Sequence, residues 1–140
     1  MAESAKTRLV WQEGLRFEAH SPSGYTLTLD SVAHEGHRGP SPIELLLMSV
    51  AGCTAIDVVA ILRKMREPLE GLEVSISGER RHGNPKYFTS MEIVYHARGS
   101  GLSREKVERA VELSHGTYCS ASASLRPDCR ITTRVEIDEG

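Results

Sequence analysis

The sequence predicts an α+β fold with the element order β-β-β-α-β-β-α-β, in which antiparallel sheets surround one long buried helix. Three features predict it. Short segments of alternating apolar residues fill the first thirty positions, one almost continuous apolar segment follows, and alternating segments then return. The chain has 140 residues, so we expect a single domain over residues 1–140, because two ordinary cores would not both close within that length.

The composition indicates a folded globular protein and argues against two classes of partner. Hydrophobic residues make up 39% and charged residues 26% of the chain, as in average globular proteins. The net charge is -2 and the basic residues are scattered, so we expect no nucleic-acid partner and no membrane partner. The first residues lack the apolar core of a secretory signal, which favours a cytoplasmic location.

The first thirty residues predict an antiparallel meander. Three short segments alternate between apolar and polar residues, and turn-forming residues separate them. These segments are Leu9–Trp11, Leu15–Phe17 and Tyr25–Leu29. Residues 31–40 contain two glycines and two histidines without a sustained period, and so predict a loop.

A long helix begins after this loop. Ser41 is suited to the N-cap, Pro42 to the first helical position, and Glu44 completes an S-x-x-E capping box. Residues 43–62 are apolar on almost every face, so we expect the helix to be buried nearly all round. Asp57 and other polar groups interrupt the apolar run and argue against a membrane span. Because a domain this small can hardly enclose such a helix alone, we expect a symmetric homodimer.

The second half predicts a hairpin, a helix and a closing strand. Residues 72–77 and 87–97 alternate, with the turn-rich segment 82–85 between them. From Ser103, apolar residues at helical spacing predict a helix that reaches Tyr118. Residues 130–137 alternate again as the last strand.

Thiol chemistry is the main functional question, because the chain has three cysteines, an odd number in a protein expected inside the cell. Cys53 lies in the most apolar part of the chain, where residue chemistry alone favours a buried and unreactive thiol. Reactivity needs a thiolate, and an ionised Asp57 one turn later would raise the thiol pKa. A cation must therefore come from elsewhere, and the candidates are Arg38, Arg16, Arg80 and Arg81.

The remaining candidates admit more than one interpretation. Cys119 could pack in the core or could resolve an oxidised Cys53 as a disulfide, and Cys129 could pair with Cys119 or be a bystander. Glu44 lies nine residues before Cys53, on the opposite face of a straight helix. If both serve one site, the helix breaks near Gly52, or Glu44 acts through a chain of partners or across a dimer.

The sequence contains few signals for a metal site or a cofactor site. His115 and Cys119 stand four residues apart, and His34 and His37 share one loop, but strict zinc spacings do not occur. The sequence also lacks the glycine-rich nucleotide motifs and the nucleophile elbow G-x-S-x-G. We therefore expect no metal and no cofactor.

Two segments resemble signatures of the OsmC/Ohr superfamily. The string PSPIELLLMSVAGC, Pro40–Cys53, is similar to the helix start that leads to the family's peroxidatic cysteine, and Tyr118–Ser120 is similar to its second cysteine segment. The predicted order of elements follows the family over essentially the whole chain. Residues 55–59 and 77–81 are most similar to the branch of YhfA-like proteins.

The resemblance implies an OsmC-like fold, an intertwined homodimer and a cysteine-based organic hydroperoxide reductase. It makes Cys53 the peroxidatic thiol, Cys119 the resolving thiol and Glu44 the carboxylate that orients an active-site arginine. The family's arginine lies upstream of the glutamate, and we assign it to Arg38, with Arg16 as the second choice. The implied substrate is an organic hydroperoxide, and the implied reductant is a lipoyl or thioredoxin-like dithiol.

Overall fold

The structure is a computed structural model that describes residues 3–139. It divides into two compact units, and the division falls between Leu46 and Leu47. The mixture of two three-stranded sheets and a helix between strands confirms the predicted α+β class. The single domain over residues 1–140 stays a prediction.

The first unit contains a meander of three antiparallel strands. They are β1 (Arg8–Glu13), β2 (Arg16–His20) and β3 (Thr26–Leu29), in that spatial order. Gly14 adopts a positive φ of 55° in the first turn, where the Trp11 indole donates a hydrogen bond of 2.9 Å to its carbonyl. The predicted meander and the loop that follows it are confirmed.

Helix α1 (Pro42–Lys64) starts where the capping box predicts. The Ser41 backbone N–H donates to Glu44 Oε1 at 2.8 Å, and the Glu44 N–H donates to Ser41 Oγ at 3.2 Å. The helix is continuous past Gly52, so the alternative that it breaks there is wrong. An uninterrupted α1 is possible because glycine costs a helix interior only about 1 kcal/mol relative to alanine.

The second unit contains the sheet β4 (Gly71–Arg80), β5 (Phe88–Arg98) and β6 (Arg130–Asp138), with β5 in the middle. The hairpin β4–β5 is antiparallel as expected, but β6 runs parallel to β5. The expectation of purely antiparallel sheets is thus wrong for this pair. The chain leaves β5 through a helical connection and re-enters the sheet at the end where β5 begins, which produces a parallel neighbour.

The helical connection differs from the expected single helix. Helix α2 (Arg104–Leu113) is capped by Ser103, whose Oγ accepts a hydrogen bond of 3.2 Å from the Lys106 N–H. A π turn (Ser114–Tyr118) and a short helix α3 (Ser120–Ala123) then follow. The Cys119 N–H donates to the Ser114 carbonyl five residues earlier, at 2.7 Å, and this wider turn ends the regular helix before Tyr118.

The core of the second unit forms between β5, α1 and α2. Strand β5 is the central strand, so its side chains are buried more completely than those of its neighbours. The core residues from these three elements are Val50, Val58, Leu62, Phe88, Met91, Ile93, Val94, Tyr95, Ala97, Val107, Ala110 and Val111.

Within one chain, α1 is buried along one stripe instead of nearly all round. The buried stripe is Val50, Thr54, Val58 and Leu62, at four-residue spacing. A second apolar stripe, Met48, Gly52, Ile56 and Ala60, lies on the opposite face and is exposed, with Ile56 72% exposed. We call these four residues the exposed stripe. One chain leaves this face uncovered, so the expected burial of α1 nearly all round requires a second copy of the chain and stays a prediction.

Helix α1 also satisfies the simple criteria for a membrane span. It has 23 residues, and its most apolar window has a mean hydropathy of 2.3. Its Thr54 and Asp57 side chains, however, hydrogen-bond to side chains of β5 and the π turn. These contacts are those of a core helix in a folded unit.

Candidate functional site

Two reduced thiols meet in the second unit. Cys53 lies on α1 and is partly exposed, whereas Cys119 lies between the π turn and α3 and is only 4% exposed. Cys119 is a close neighbour of Cys53, and its thiol and charge raise the pKa of Cys53. The structure therefore brings together two residues that are 66 positions apart in the sequence (119 minus 53).

Short helix α3 offers its first backbone N–H groups to both sulfurs. The Ser122 N–H donates to Cys119 Sγ at 3.4 Å, and the N–H groups of Ala121 and Ser120 lie close enough to Cys53 to lower its pKa. Cys119 is thus the N-cap residue of α3. Hydrogen bonds of this kind favour the thiolate over the thiol, because they are stronger to a charged acceptor.

The pKa of Cys53 reflects opposing influences. The largest is the Ala121 N–H, which lowers the pKa, and the Ser120 N–H also lowers it. Burial and the hydrogen bond and charge of Cys119 act in the opposite direction, and the balance raises the pKa above its ordinary value. In this environment Cys53 is mainly a thiol at neutral pH, so a fast nucleophile requires a further cation.

Asp57 does not stand as an unpaired charge one turn beyond Cys53. Its carboxylate accepts a hydrogen bond of 2.8 Å from the Ser114 hydroxyl, which also lies 2.9 Å from Thr54 Oγ1. Thr54 Oγ1 in turn lies 2.8 Å from the Tyr95 hydroxyl. Sequence reasoning missed this network, although Thr54 and Asp57 in the apolar helix and Ser114 among apolar residues at helical spacing were signals for it.

The pKa of Tyr95 depends on two neighbouring acidic groups, Cys119 and Asp57. Burial is the main cause that raises the pKa of Tyr95, the hydrogen bond with Thr54 acts against it, and the negative charges of Cys119 and Asp57 raise it further. The phenol is therefore neutral at physiological pH and can donate its proton. The network lies beside the thiol pair because Thr54 directly follows Cys53 in α1 and Ser114 accepts the Cys119 N–H.

In the first unit, Asp30 organises two of the candidate arginines. The Arg16 Nε atom and the Arg38 backbone N–H both donate to Asp30 Oδ2, at 3.3 and 3.2 Å. Burial, the largest effect, would raise the pKa of Asp30, but these donors and the Ser31 N–H together lower it. The Arg16 guanidinium is thus engaged by a buried carboxylate, with a second and longer contact of 3.9 Å to Glu13.

The other arginines differ in what their side chains contact. The Arg38 side chain is exposed and forms no ion pair with a residue between positions 3 and 139. Arg81 donates to the carbonyls of Gly83 and Asn84, so it is engaged in the turn between β4 and β5. Arg80, at the end of β4, is exposed.

Glu44 and Cys129 have contacts of other kinds. Glu44 Oε1 accepts from the Ser41 N–H, as its capping role requires. Cys129 lines a surface depression together with His115 and Arg126, and burial and the charge of Asp128 raise its pKa. Within residues 3–139, no three His, Cys, Asp or Glu side chains cluster in a way that could hold a metal ion.

Comparison with known proteins agrees with these features. Residues 34–134 match the family model described as OsmC-like protein. The chain is 39% identical over 132 residues to Protein YhfA of Escherichia coli strain K12, covering 94% of this chain and 97% of that one. A hypothetical protein from Aquifex aeolicus VF5 has the same fold, with a TM-score of 0.87 and 29% identity over 98% of both chains.

A more distant solved structure extends the likeness in fold. The organic hydroperoxide resistance protein OhrB of Bacillus subtilis superposes with a TM-score of 0.66 at 20% identity, over 96% of this chain and 98% of that one. The family match covers more than two thirds of the chain, and the similarity to YhfA covers 94% of it. This confirms the resemblance found in the sequence, and the chain belongs to the OsmC-like protein family.

Proposed function

We propose that this chain is a thiol-dependent peroxidase that reduces organic hydroperoxides, with Cys53 as the peroxidatic and Cys119 as the resolving cysteine. The contact between the two thiols carries the proposal, since a second thiol beside the first is what disulfide formation needs. The hydroperoxide resistance proteins among the structural neighbours support this substrate class.

The proposed reaction has two steps. The Cys53 thiolate attacks the distal oxygen of the hydroperoxide, the O–O bond breaks, and the alkoxide leaves as an alcohol after it takes up a proton. Cys53 is then a sulfenic acid. The Cys119 sulfur attacks it, forms the Cys53–Cys119 disulfide and releases water. A lipoyl or thioredoxin-like dithiol returns both cysteines to thiols by exchange and becomes a disulfide itself.

Arg38 is the proposed cation of this site. Its guanidinium would lower the raised pKa of Cys53 and stabilise the departing alkoxide. Arg38 is preferred to Arg16 because its side chain is exposed and is not committed to Asp30. Glu44 is proposed to orient the guanidinium, either through intermediate groups or across a dimer.

The exposed stripe supports the homodimer. Met48, Ile56 and Ala60 flank Gly52, and a Cβ added at Gly52 would meet no atom within 4 Å. A glycine in the middle of an apolar helix face allows a second helix to approach closely, and an equivalent helix around a two-fold axis presents a matching surface. Because Cys53 follows Gly52, this interface would also exclude water from the thiol. We also propose that the protein is located in the cytoplasm, as the sequence analysis predicts.

One observation favours a second candidate function. The raised pKa of Cys53 is typical of a slowly reacting thiol, which suits a redox sensor or a hydrophobic-ligand-binding protein without significant turnover. The two candidates differ in the rate at which peroxide is consumed.

Steady-state consumption of cumene hydroperoxide, with dihydrolipoamide or dithiothreitol as the reductant, tests the proposal. We expect wild type and Cys129→Ser to turn over many equivalents, Cys53→Ser to be inactive, and Arg38→Met to be slower by at least about tenfold. Arg80→Met is the matched control, because it removes a different exposed arginine. If wild type consumes a single equivalent and then stops despite a reduced dithiol, the sensor interpretation replaces the enzyme.

A further inference from the structure

Four polar side chains, three of them buried, join the segments that carry the two thiols. Thr54 and Asp57 come from α1, Tyr95 from β5 and Ser114 from the start of the π turn. Thr54, Tyr95 and Ser114 are at most 2% exposed, and the three contacts between the four side chains measure 2.8 to 2.9 Å. We call them the polar chain.

The chemistry of the polar chain sets the direction of its hydrogen bonds. The carboxylate of Asp57 can only accept, so the single hydroxyl proton of Ser114 is donated to it. The same hydroxyl is also directed at Thr54 Oγ1, at 2.9 Å, as a second acceptor. Thr54 Oγ1 and the Tyr95 hydroxyl share a further hydrogen bond of 2.8 Å. Ser114 is therefore the donor in both hydrogen bonds that join the π turn to α1.

Ser114 is the residue through which the polar chain reaches Cys119. Its hydroxyl contacts two side chains of α1, and its carbonyl accepts the Cys119 N–H at 2.7 Å across the π turn. Thr54, one of its two contacts on α1, directly follows Cys53. Ser114 therefore contacts both the helix that carries Cys53 and the backbone of Cys119.

We propose that Ser114 is a positioning residue that anchors the π turn to α1, holds Cys119 against Cys53 and so sets the stability of the disulfide between them. The proposal rests on the Cys53–Cys119 pairing of the proposed function, but it does not depend on the substrate. An anchored thiol has a high effective concentration at its partner, which favours the intramolecular disulfide over mixed disulfides.

The equilibrium with glutathione measures this effect directly. The protein dithiol and oxidised glutathione exchange two electrons and two protons to give the protein disulfide and two reduced glutathione molecules. In Ser114→Ala the π turn loses both contacts with α1. We expect the equilibrium constant for disulfide formation to fall by roughly tenfold or more, as expected for one to two lost hydrogen bonds.

Tyr95→Phe is the matched control, because it removes a hydrogen bond from the same buried chain but leaves both contacts of Ser114. We expect it to lower the melting temperature of the reduced protein while the glutathione equilibrium stays within about twofold of wild type. Thr54→Val removes one of the two contacts of Ser114 and should give a smaller shift in the same direction. It also serves if Ser114→Ala does not fold.

The outcomes separate the two proposals. If wild type forms no Cys53–Cys119 disulfide in the glutathione buffer, the pairing in the proposed function fails. If wild type forms it and the Ser114 or Thr54 variants show the wild-type equilibrium constant, only the positioning role is overturned. A Tyr95→Phe shift as large as that of Ser114→Ala would also overturn it, because general loosening would then explain both. Loss of peroxide turnover alone would leave the positioning role intact.

Discussion

At Cys53, two backbone N–H groups and a neighbouring thiol act in opposite directions. The N–H groups of Ala121 and Ser120 lower the pKa of Cys53, whereas burial and Cys119 raise it. The raising effects are larger in total, so the pKa lies above its ordinary value. Two interacting thiols lose their protons in two steps that belong to the pair. A negative charge on Cys119 therefore makes the Cys53 thiolate harder to form.

Removing Cys119 should lower the pKa of Cys53. In Cys119→Ala, the hydrogen bond and the charge that raise this pKa are both absent, while the N–H groups that lower it come from Ser120 and Ala121. We expect the rate of Cys53 alkylation by iodoacetamide to rise at lower pH than in wild type, as followed by peptide mass spectrometry. Cys129→Ala is the control and should leave the profile unchanged. A profile displaced to higher pH would contradict the described environment.

The roles of Cys53 and Cys119 stay predictions that rest on the family resemblance, because residue chemistry alone favours a buried, unreactive Cys53. The protonation of Cys53 could not be predicted from the sequence. The pKa depends on backbone donors from α3, which the expected continuous helix to Tyr118 does not contain. Local sequence gives no distance between α1 and a segment more than sixty residues later, so this balance could not be predicted.

At the scale of elements, Asp30 connects strand β2 to the loop after β3. Its buried carboxylate accepts from Arg16 on β2 and from the N–H groups of Ser31 and Arg38. Arg38, the proposed cation, is thereby held through its backbone while its side chain stays free of ion pairs with the described residues. Asp30 is thus the residue that orders the loop carrying the proposed arginine.

Asp30→Asn should destabilise the first unit in a pH-dependent way. The folded-state pKa of Asp30 is lowered, so its carboxylate stabilises the fold above the unfolded-state pKa of about 3.9, and this contribution is lost as the pH falls through the folded-state pKa. We expect the variant to have a lower melting temperature than wild type at pH 7, and we expect this difference in melting temperature to become smaller below about pH 4.

Glu13→Gln is the matched control for Asp30, because Glu13 also lies near Arg16 but its side chain is 79% exposed. We expect little change in the melting temperature at any pH, since exposed ion pairs contribute about 0–1 kcal/mol. If the melting temperatures of wild type and Asp30→Asn differ by the same amount at pH 3 and at pH 7, the charge of the Asp30 carboxylate does not contribute to stability.

Elements with strong local signals were predicted well. The capping box of Ser41 and Glu44 and the alternation of β4 and β5 depend on residues within a few positions of each other. The parallel pairing of β6 and the π turn depend on tertiary contacts, including the anchoring of Ser114 to α1. The prediction from helical spacing alone therefore placed the end of this helix at Tyr118, whereas α2 ends at Leu113.

At the scale of the whole molecule, the exposed stripe of α1 defines the proposed dimer interface. An apolar helix face of four residues in line, with Met48 54% exposed and Ile56 72% exposed, costs solubility unless it is covered. The sequence predicted an apolar helix that one chain could not enclose, and the uncovered face supports that reasoning. The dimer itself stays a prediction.

Ile56→Glu should weaken the dimer. A carboxylate in the middle of the exposed stripe would be buried without a partner on both sides of a two-fold axis, so we expect the dissociation constant to rise by at least about a hundredfold. Light scattering after size-exclusion chromatography measures the mass. Ile56→Val is the control and should remain dimeric. A wild-type chain that elutes as a monomer at high concentration would contradict the proposed interface.

The most direct measurement is peptide mapping by mass spectrometry after the reduced protein has reacted with a single equivalent of cumene hydroperoxide or a fatty-acid hydroperoxide. The proposed chemistry predicts a disulfide between Cys53 and Cys119, a free Cys129, and a sulfenic acid on Cys53 when Cys119 is replaced by serine. A Cys53 that remains an unmodified thiol while the peroxide persists would contradict the assignment of this site as a peroxidase.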